Sequence, residues 1–115
     1  MSLKKVFLYA EIQVAIPFTA IDWASINTAM KKEKGLKSKT WLSGINTNTI
    51  GGFYEFDSLE NAKAYAEGYL AAAARQIGGS LSVKLFNGDI TADASREISS
   101  PFYEKAKQRT PVLAK

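Results

Sequence analysis

The run Gly51-Gly52-Phe53-Tyr54-Glu55-Phe56-Asp57-Ser58-Leu59-Glu60-Asn61-Ala62-Lys63-Ala64-Tyr65 constrains this chain most, because it reads as a strand entering a helix with nothing between them. Glycine weakens a strand interior, so Gly51 and Gly52 predict a bulge or the close approach of another backbone. Asp57 with Glu60 three residues on is the N-cap and carboxylate pattern of a helix start.

The rest of the chain arranges itself around that unit. Residues 5–16 alternate, with Val6, Leu8, Ala10, Ile12 and Val14 on one face and Phe7, Tyr9, Glu11 and Gln13 on the other. Period two predicts a strand, and Pro17 ends it. Thr19 is the expected N-cap of a helix over about residues 20–34, with Trp23, Ile26 and Met30 as its apolar stripe. Lys31, Lys32 and Lys34 suit the dipole of its last turn, and Gly35 its C-cap. Residues 36–45 read as a second strand and 49–56 as a third. Between them, Asn46-Thr47-Asn48 is a turn with asparagines suited to left-handed positions. A helix over 58–77 places Ala62, Tyr65, Ala66, Tyr69, Leu70, Ala73 and Ile77 on one face, and Gly78-Gly79 stops it. Residues 81–87 form a fourth strand, and Asp93 to Ser99 one short helical turn.

The order β-α-β-β-α-β is the split β-α-β of an α+β, ferredoxin-like sandwich. Right-handed crossovers put both helices on one sheet face. The other face then carries Phe7, Tyr9, Phe53 and Phe86, an apolar area too large to leave in water. Pairing two such sheets about a two-fold axis would cover it, so the expected assembly is a homodimer.

Composition narrows the chemistry. A chain of 115 residues, 46% apolar, has room for one core, expected to be a domain over residues 1–99 with a tail over 100–115. No stretch approaches the roughly 20 apolar residues of a membrane span, so no membrane partner is expected. The start leads directly into the first strand pattern and does not read as a signal peptide. With no cysteine there is no disulfide or thiolate, and the cytoplasm is the expected location. With no histidine the commonest general base and metal ligand are missing. The carboxylates show no clustered spacing for a metal, so no metal is expected. The tail holds Lys105, Lys107, Arg109 and Lys115 against Glu104, a net +3 of the chain's +4. A basic tail on a near-neutral body is a weak signal for nucleic acid, and the third strand lacks the Lys/Arg-Gly-Phe/Tyr-Gly/Ala-Phe run of RNA-recognition sheets. No nucleic-acid partner is expected.

Gly35, Lys39-x-Trp41, Gly51-Gly52-x-Tyr54-x-Phe56 and Ala62-x-Ala64-Tyr65 together resemble the YdhR-like monooxygenase family, within the dimeric α/β-barrel group of antibiotic-biosynthesis-type monooxygenases. The Gly35-to-Gly51 spacing and Pro17-Phe18 after the first strand fit as well. The resemblance covers about residues 5–98 and is dense in the middle. It implies a dimeric α/β-barrel and oxidation of a small aromatic or polyketide-like substrate by O₂ without metal or flavin.

Two compartments are candidates for that substrate. Between helices and sheet, Ala62, Ala66 and Ala73 are small next to Tyr65 and Tyr69, which signals either tight packing or a pocket. Tyr65 and Tyr69, with Trp23 of the first helix, are the substrate-binding candidates there. Between paired sheets, Tyr9 and Glu11 are the candidates, beside Gln13 and Lys84. The site implied by the resemblance needs polar groups near a developing oxyanion. Trp41 N–H and Tyr54 O–H are the expected donors, Lys39 the stabilising charge if it points inward, and Tyr65 the group that positions the ring. Glu11 or Glu55 would have to be the base, its pKa raised by burial. Trp41 and Lys39 share a strand face, and a two-residue turn at Thr47-Asn48 would set Trp41 opposite Tyr54. Leu36 and Leu42, of opposite parity, compete for the same core, and one residue of register exchanges the faces. The alternative is a non-enzymatic small-ligand binder with the same pocket and no chemistry.

Overall fold

The computed structural model describes residues 2–104. Four antiparallel strands pair in the order β2-β3-β1-β4, with helices on one face, as the ferredoxin-like pattern predicts. Strand β1 (Val6–Gln13) is central, and Val6, Leu8 and Ala10 are buried under the helices. They join Met30, Tyr54, Phe56, Ala62, Tyr65 and Leu70 in one core. No helix among the described residues is long and apolar enough to cross a membrane.

The first helix is shorter than its pattern predicts. Phe18–Ala20 form a 3₁₀ turn, and α1 spans only Trp23–Met30. Its N-cap is Asp22, whose carboxylate accepts from the Ser25 N–H at 3.3 Å, not Thr19. Asp22 sits immediately ahead of the apolar stripe, where a short acceptor reaches the free N–H groups of the first turn. After Met30 the lysine-rich residues form turns, and Gly35 at φ +78° carries the chain into β2.

Strands β2 (Leu36–Ser43) and β3 (Thr49–Phe56) settle the parity conflict with a bulge. Leu36 pairs with Phe56, Ser38 with Glu55, Lys39 with Tyr54 and Trp41 with Gly52, leaving Lys37 as the extra residue. A bulge adds one residue on one strand and switches the faces. Leu36, Lys39 and Trp41 therefore all face the helices, while Leu42 faces away. The hairpin closes through Gly44 N–H to the Thr49 carbonyl at 2.9 Å, with Asn46 (φ 59°) and Asn48 (φ 55°) left-handed as predicted. Trp41 thus lies opposite Gly52 rather than Tyr54.

The long helix is continuous but not uniform. It runs as α2 (Leu59–Tyr65), a π-helical turn (Ala66–Leu70) and α3 (Ala71–Ile77). Ser58 caps it, accepting from Asn61 N–H at 3.1 Å, while Asp57 accepts from the Asn61 side-chain amide at 2.8 Å. The cap is therefore one residue later than the Asp57 reading. Gly78, at φ +80°, closes it by donating to the Ala74 carbonyl. Strand β4 (Ser80–Asn87) and α4 (Ala92–Glu97) follow.

The face away from the helices is partly covered by the chain itself. Phe7 stacks on Phe53 at 4.9 Å, and Phe102 packs on both, at 5.8 and 5.2 Å. Lys5 pins this segment, donating to Glu55 at 2.7 Å and to the Phe102 carbonyl at 2.8 Å, and Tyr103 donates to the Gly88 carbonyl at 2.8 Å. The first residues of the expected tail are thus packed on the sheet. Its basic residues Lys105, Lys107, Arg109 and Lys115 lie outside the described residues. Phe86 remains nearly half exposed beside this cover.

Candidate functional site

A cavity of about 210 Å³ opens between the helices and the sheet. Ala10, Ile12, Ile50 and Gly51 form its floor, Tyr69, Leu70 and Ala73 its helix wall, and Ile26 and Met30 of α1 its far side. Val14, Ile16, Ile21, Gln76 and Ile77 also border it, and the exposed Ile16 and Ile77 mark its mouth. Lys39, Trp41 and Tyr54 line its inner end. Among the described residues no carboxylate lines it.

The glycine pair explains how these side chains fit. A Cβ on Gly51 would collide with the Ala10 carbonyl oxygen of β1, the close backbone approach that the pair predicts. A Cβ on Gly52 would stand 2.6 Å from Lys39 Cε. The bare backbone at Gly52 is therefore the shelf on which the lysine chain lies.

Lys39 is held by ring faces. Its Nζ is 3.3 Å from the Trp41 ring centroid, 4.9 Å from that of Tyr54 and 3.5 Å from Met30 Sδ. Cation–π contact favours the ammonium, but burial favours the free amine and pushes Lys39 down to about 7. Burial also pushes Tyr54 up to about 12. Tyr69 is raised by burial and then by the Glu33 charge. Both phenols stay neutral, able to donate a hydrogen bond.

Trp41 does not aim its N–H into the cavity. It donates to Asn27 Oδ1 at 3.0 Å, so the expected oxyanion donor is already occupied, and the indole contributes its face. Asn27 escaped notice in the sequence, although it sits at the Trp23, Asn27, Met30 spacing of one helix stripe, where a polar residue needs a partner.

The other candidates lie elsewhere. Tyr65 is in a second layer, stacked on Tyr69 at 5.5 Å and packed on Tyr54 at 5.2 Å. It is fully buried, its hydroxyl makes no hydrogen bond of good geometry and has only the neighbouring Tyr54 hydroxyl within reach, and burial drives its pKa far upward. Trp23 is half exposed and outside the lining. Tyr9 and Glu11 are on the opposite sheet face, hydrogen-bonded to each other at 2.6 Å, and that bond raises Tyr9. Glu55 is on that face too, ion-paired to Lys5 at 2.7 Å and Lys37 at 3.7 Å. Neither carboxylate reaches the cavity. Among the described residues no three acidic side chains cluster as metal ligands.

A solved structure of a point mutant of SnoaB, a cofactor-independent oxygenase from Streptomyces nogalater, has a similar fold. It aligns at a TM-score of 0.54 with 16% identity, covering 94% of this chain and 98% of that one. Comparison with curated proteins finds no match. Residues 11–101, most of the chain and nearly all of the fold around the cavity, match the family described as "putative mono-oxygenase ydhR", and the chain belongs to that family.

Proposed function

We infer that this protein is a monooxygenase that oxidises a small aromatic or polyketide-like substrate with O₂ and no cofactor, in the cavity under α1 and the long helix. The observation that carries this reading is the inner end of the cavity. There an amine, an indole face and a neutral phenol meet in an otherwise apolar space. Such a site binds a flat ring by its faces and supplies charge where an oxyanion develops. The Tyr54 hydroxyl and the Lys39 amine are the groups that stabilise it, and Trp41 forms the wall.

The reaction balances without an external reductant. For a hydroquinone, one atom of O₂ becomes bonded to a ring carbon and the other leaves as water with two substrate hydrogens. The product is the hydroxyquinone, and the substrate supplies every electron. The exposed part of the opposite sheet face, with Phe86, Tyr9, Glu11 and Lys84, is where a second copy would dock, so a homodimer belongs to this reading.

Oxygen uptake by the purified, metal-stripped protein with a panel of hydroquinones and anthrone-like compounds tests it, with Trp41→Ala as the variant that removes the wall. Uptake that falls in the variant supports the oxygenase. Binding reported by tryptophan fluorescence, with no uptake for any compound, favours a small-ligand binder of the same fold.

A further inference from the structure

Any oxygenation of this type needs a base, because the anion of the substrate is the form that reduces O₂, and the two expected carboxylates are on the wrong side of the sheet. We propose that Lys39 is the proton acceptor of the cavity, and that the cavity takes a phenol or enol of one or two rings whose O–H the lysine deprotonates. The inference rests on the oxygenase reading for its purpose but not for its test.

The geometry singles out one group. Glu11 and Glu55 pair with Tyr9 and with Lys5 on the opposite face. Tyr54 and Tyr69 are raised and hold their protons. Lys39 alone among the lining side chains has a basic nitrogen lone pair to offer, and its chain is laid across Gly52 with Nζ against the Trp41 and Tyr54 rings. The groups that face it are the Trp41 and Tyr54 rings, Met30 Sδ from α1 and, across the cavity, Tyr69. The Glu33 charge is felt at Tyr65 and Tyr69. A lysine freed of its proton by burial is a competent base. In the step, the substrate O–H bond breaks, the N–H bond forms, and the electron pair stays on oxygen beside the new ammonium. The transfer is easiest when the substrate acid matches the lysine in strength, which points to a ring O–H conjugated with a carbonyl or similar group.

Volume sets the size class. An apolar cavity of roughly 150 Å³ holds one benzene ring, so about 210 Å³ holds one ring with substituents or two fused rings. A third ring would have to protrude past Ile16 and Ile77.

The test uses the whole protein without O₂ and 3-nitrophenol, a one-ring phenol that is mostly neutral near neutral pH and yellow only as its anion. The wild type should bind it and turn it yellow while releasing well under one proton per site, about half at pH 7 where Lys39 is half free amine, counted by calorimetry in two buffers of different ionisation heat. Lys39→Met should bind it without the colour, with circular dichroism confirming the fold. Lys39→Arg keeps the charge but not the lone pair, and each anion it binds should release a proton to buffer. Binding of the neutral phenol by the wild type, equal colour in Lys39→Met, equal proton release in wild type and Lys39→Arg, or no binding at all would overturn the proposal. With O₂ and an active hydroquinone, kcat/KM should rise through pH about 7 and fall by about 100-fold or more in Lys39→Arg, with that inflection gone. Yellow binding without oxygen uptake would defeat the oxygenase and leave Lys39 as the acceptor. Uptake unchanged in Lys39→Met would defeat the acceptor and leave the oxygenase.

Discussion

Lys39 lies in the space that a Cβ on Gly52 would take, its Cε only 2.6 Å from that position. The two residues flank one another across β2 and β3, Gly52 lying two pairs along the register from the Lys39–Tyr54 rung. The conformation of the lysine therefore depends on the absence of a side chain on the neighbouring strand.

Gly52→Ala should displace Lys39 while keeping the fold, because the obstructing atom belongs to a flexible chain. Tyr54, 3.0 Å from the same position, must yield slightly, for an overpacking cost of about 1–2 kcal/mol. Thermal melts and the pH profile of oxygen uptake check this. A profile identical to wild type would show that the shelf does not position the amine.

Gly51→Ala should behave differently. Its Cβ meets the Ala10 carbonyl and lies 2.8 Å from Glu11 Cα, backbone atoms of the central strand that cannot move aside singly. The variant should lose about 3 kcal/mol or more. Denaturant unfolding beside Gly52→Ala would separate the two glycines, and equal losses would refute the distinction.

Tyr65→Phe should stabilise the protein. The hydroxyl it removes is buried with no well-aligned partner, only the Tyr54 hydroxyl near it, and a fully orphaned hydroxyl costs at most about 1–3 kcal/mol. Tyr65 is behind the lining, so oxygen uptake should persist. A lower unfolding free energy would mean that the hydroxyl is satisfied in solution.

Stability should depend on pH through Lys39. Its folded value is lowered from 10.5 to about 7, so between those limits the unfolded chain binds more protons than the folded one. Stability then rises with pH across that window, and the penalty is fully present below about 7. Lys39→Met should remove that rise and be the more stable protein below neutral pH. Urea midpoints measured across the window for both proteins check the sign.

Lys5→Met should destabilise by about 2–4 kcal/mol, because it leaves the buried Glu55 with only the longer Lys37 contact. It also frees the Phe102 carbonyl, so limited proteolysis should cut the segment after α4 faster than in the wild type. Unchanged cleavage would show that ring packing alone holds that segment.

The chain by itself determined the element order, because period-two and period-3.6 patterns and the Gly35, Asn46, Asn48 and Gly78 stops are local properties. It also determined that the base could be neither histidine nor cysteine. Only the tertiary structure decided which face Lys39 and Trp41 take. One bulge at Lys37 reverses the parity of β2, and a bulge leaves no periodic trace in a strand whose alternation is already weak. Helix limits followed the same division. Asp22 and Ser58 compete with Thr19 and Asp57 for the cap, and side-chain reach in three dimensions selects between neighbours of similar propensity. The burial of Lys39, named in the sequence as a stabilising charge only if it points inward, was hidden for a related reason. A lysine on a strand reads as a solvated edge charge until the helices bury it and the Trp41 and Tyr54 rings and the bare Gly52 backbone are assembled around it.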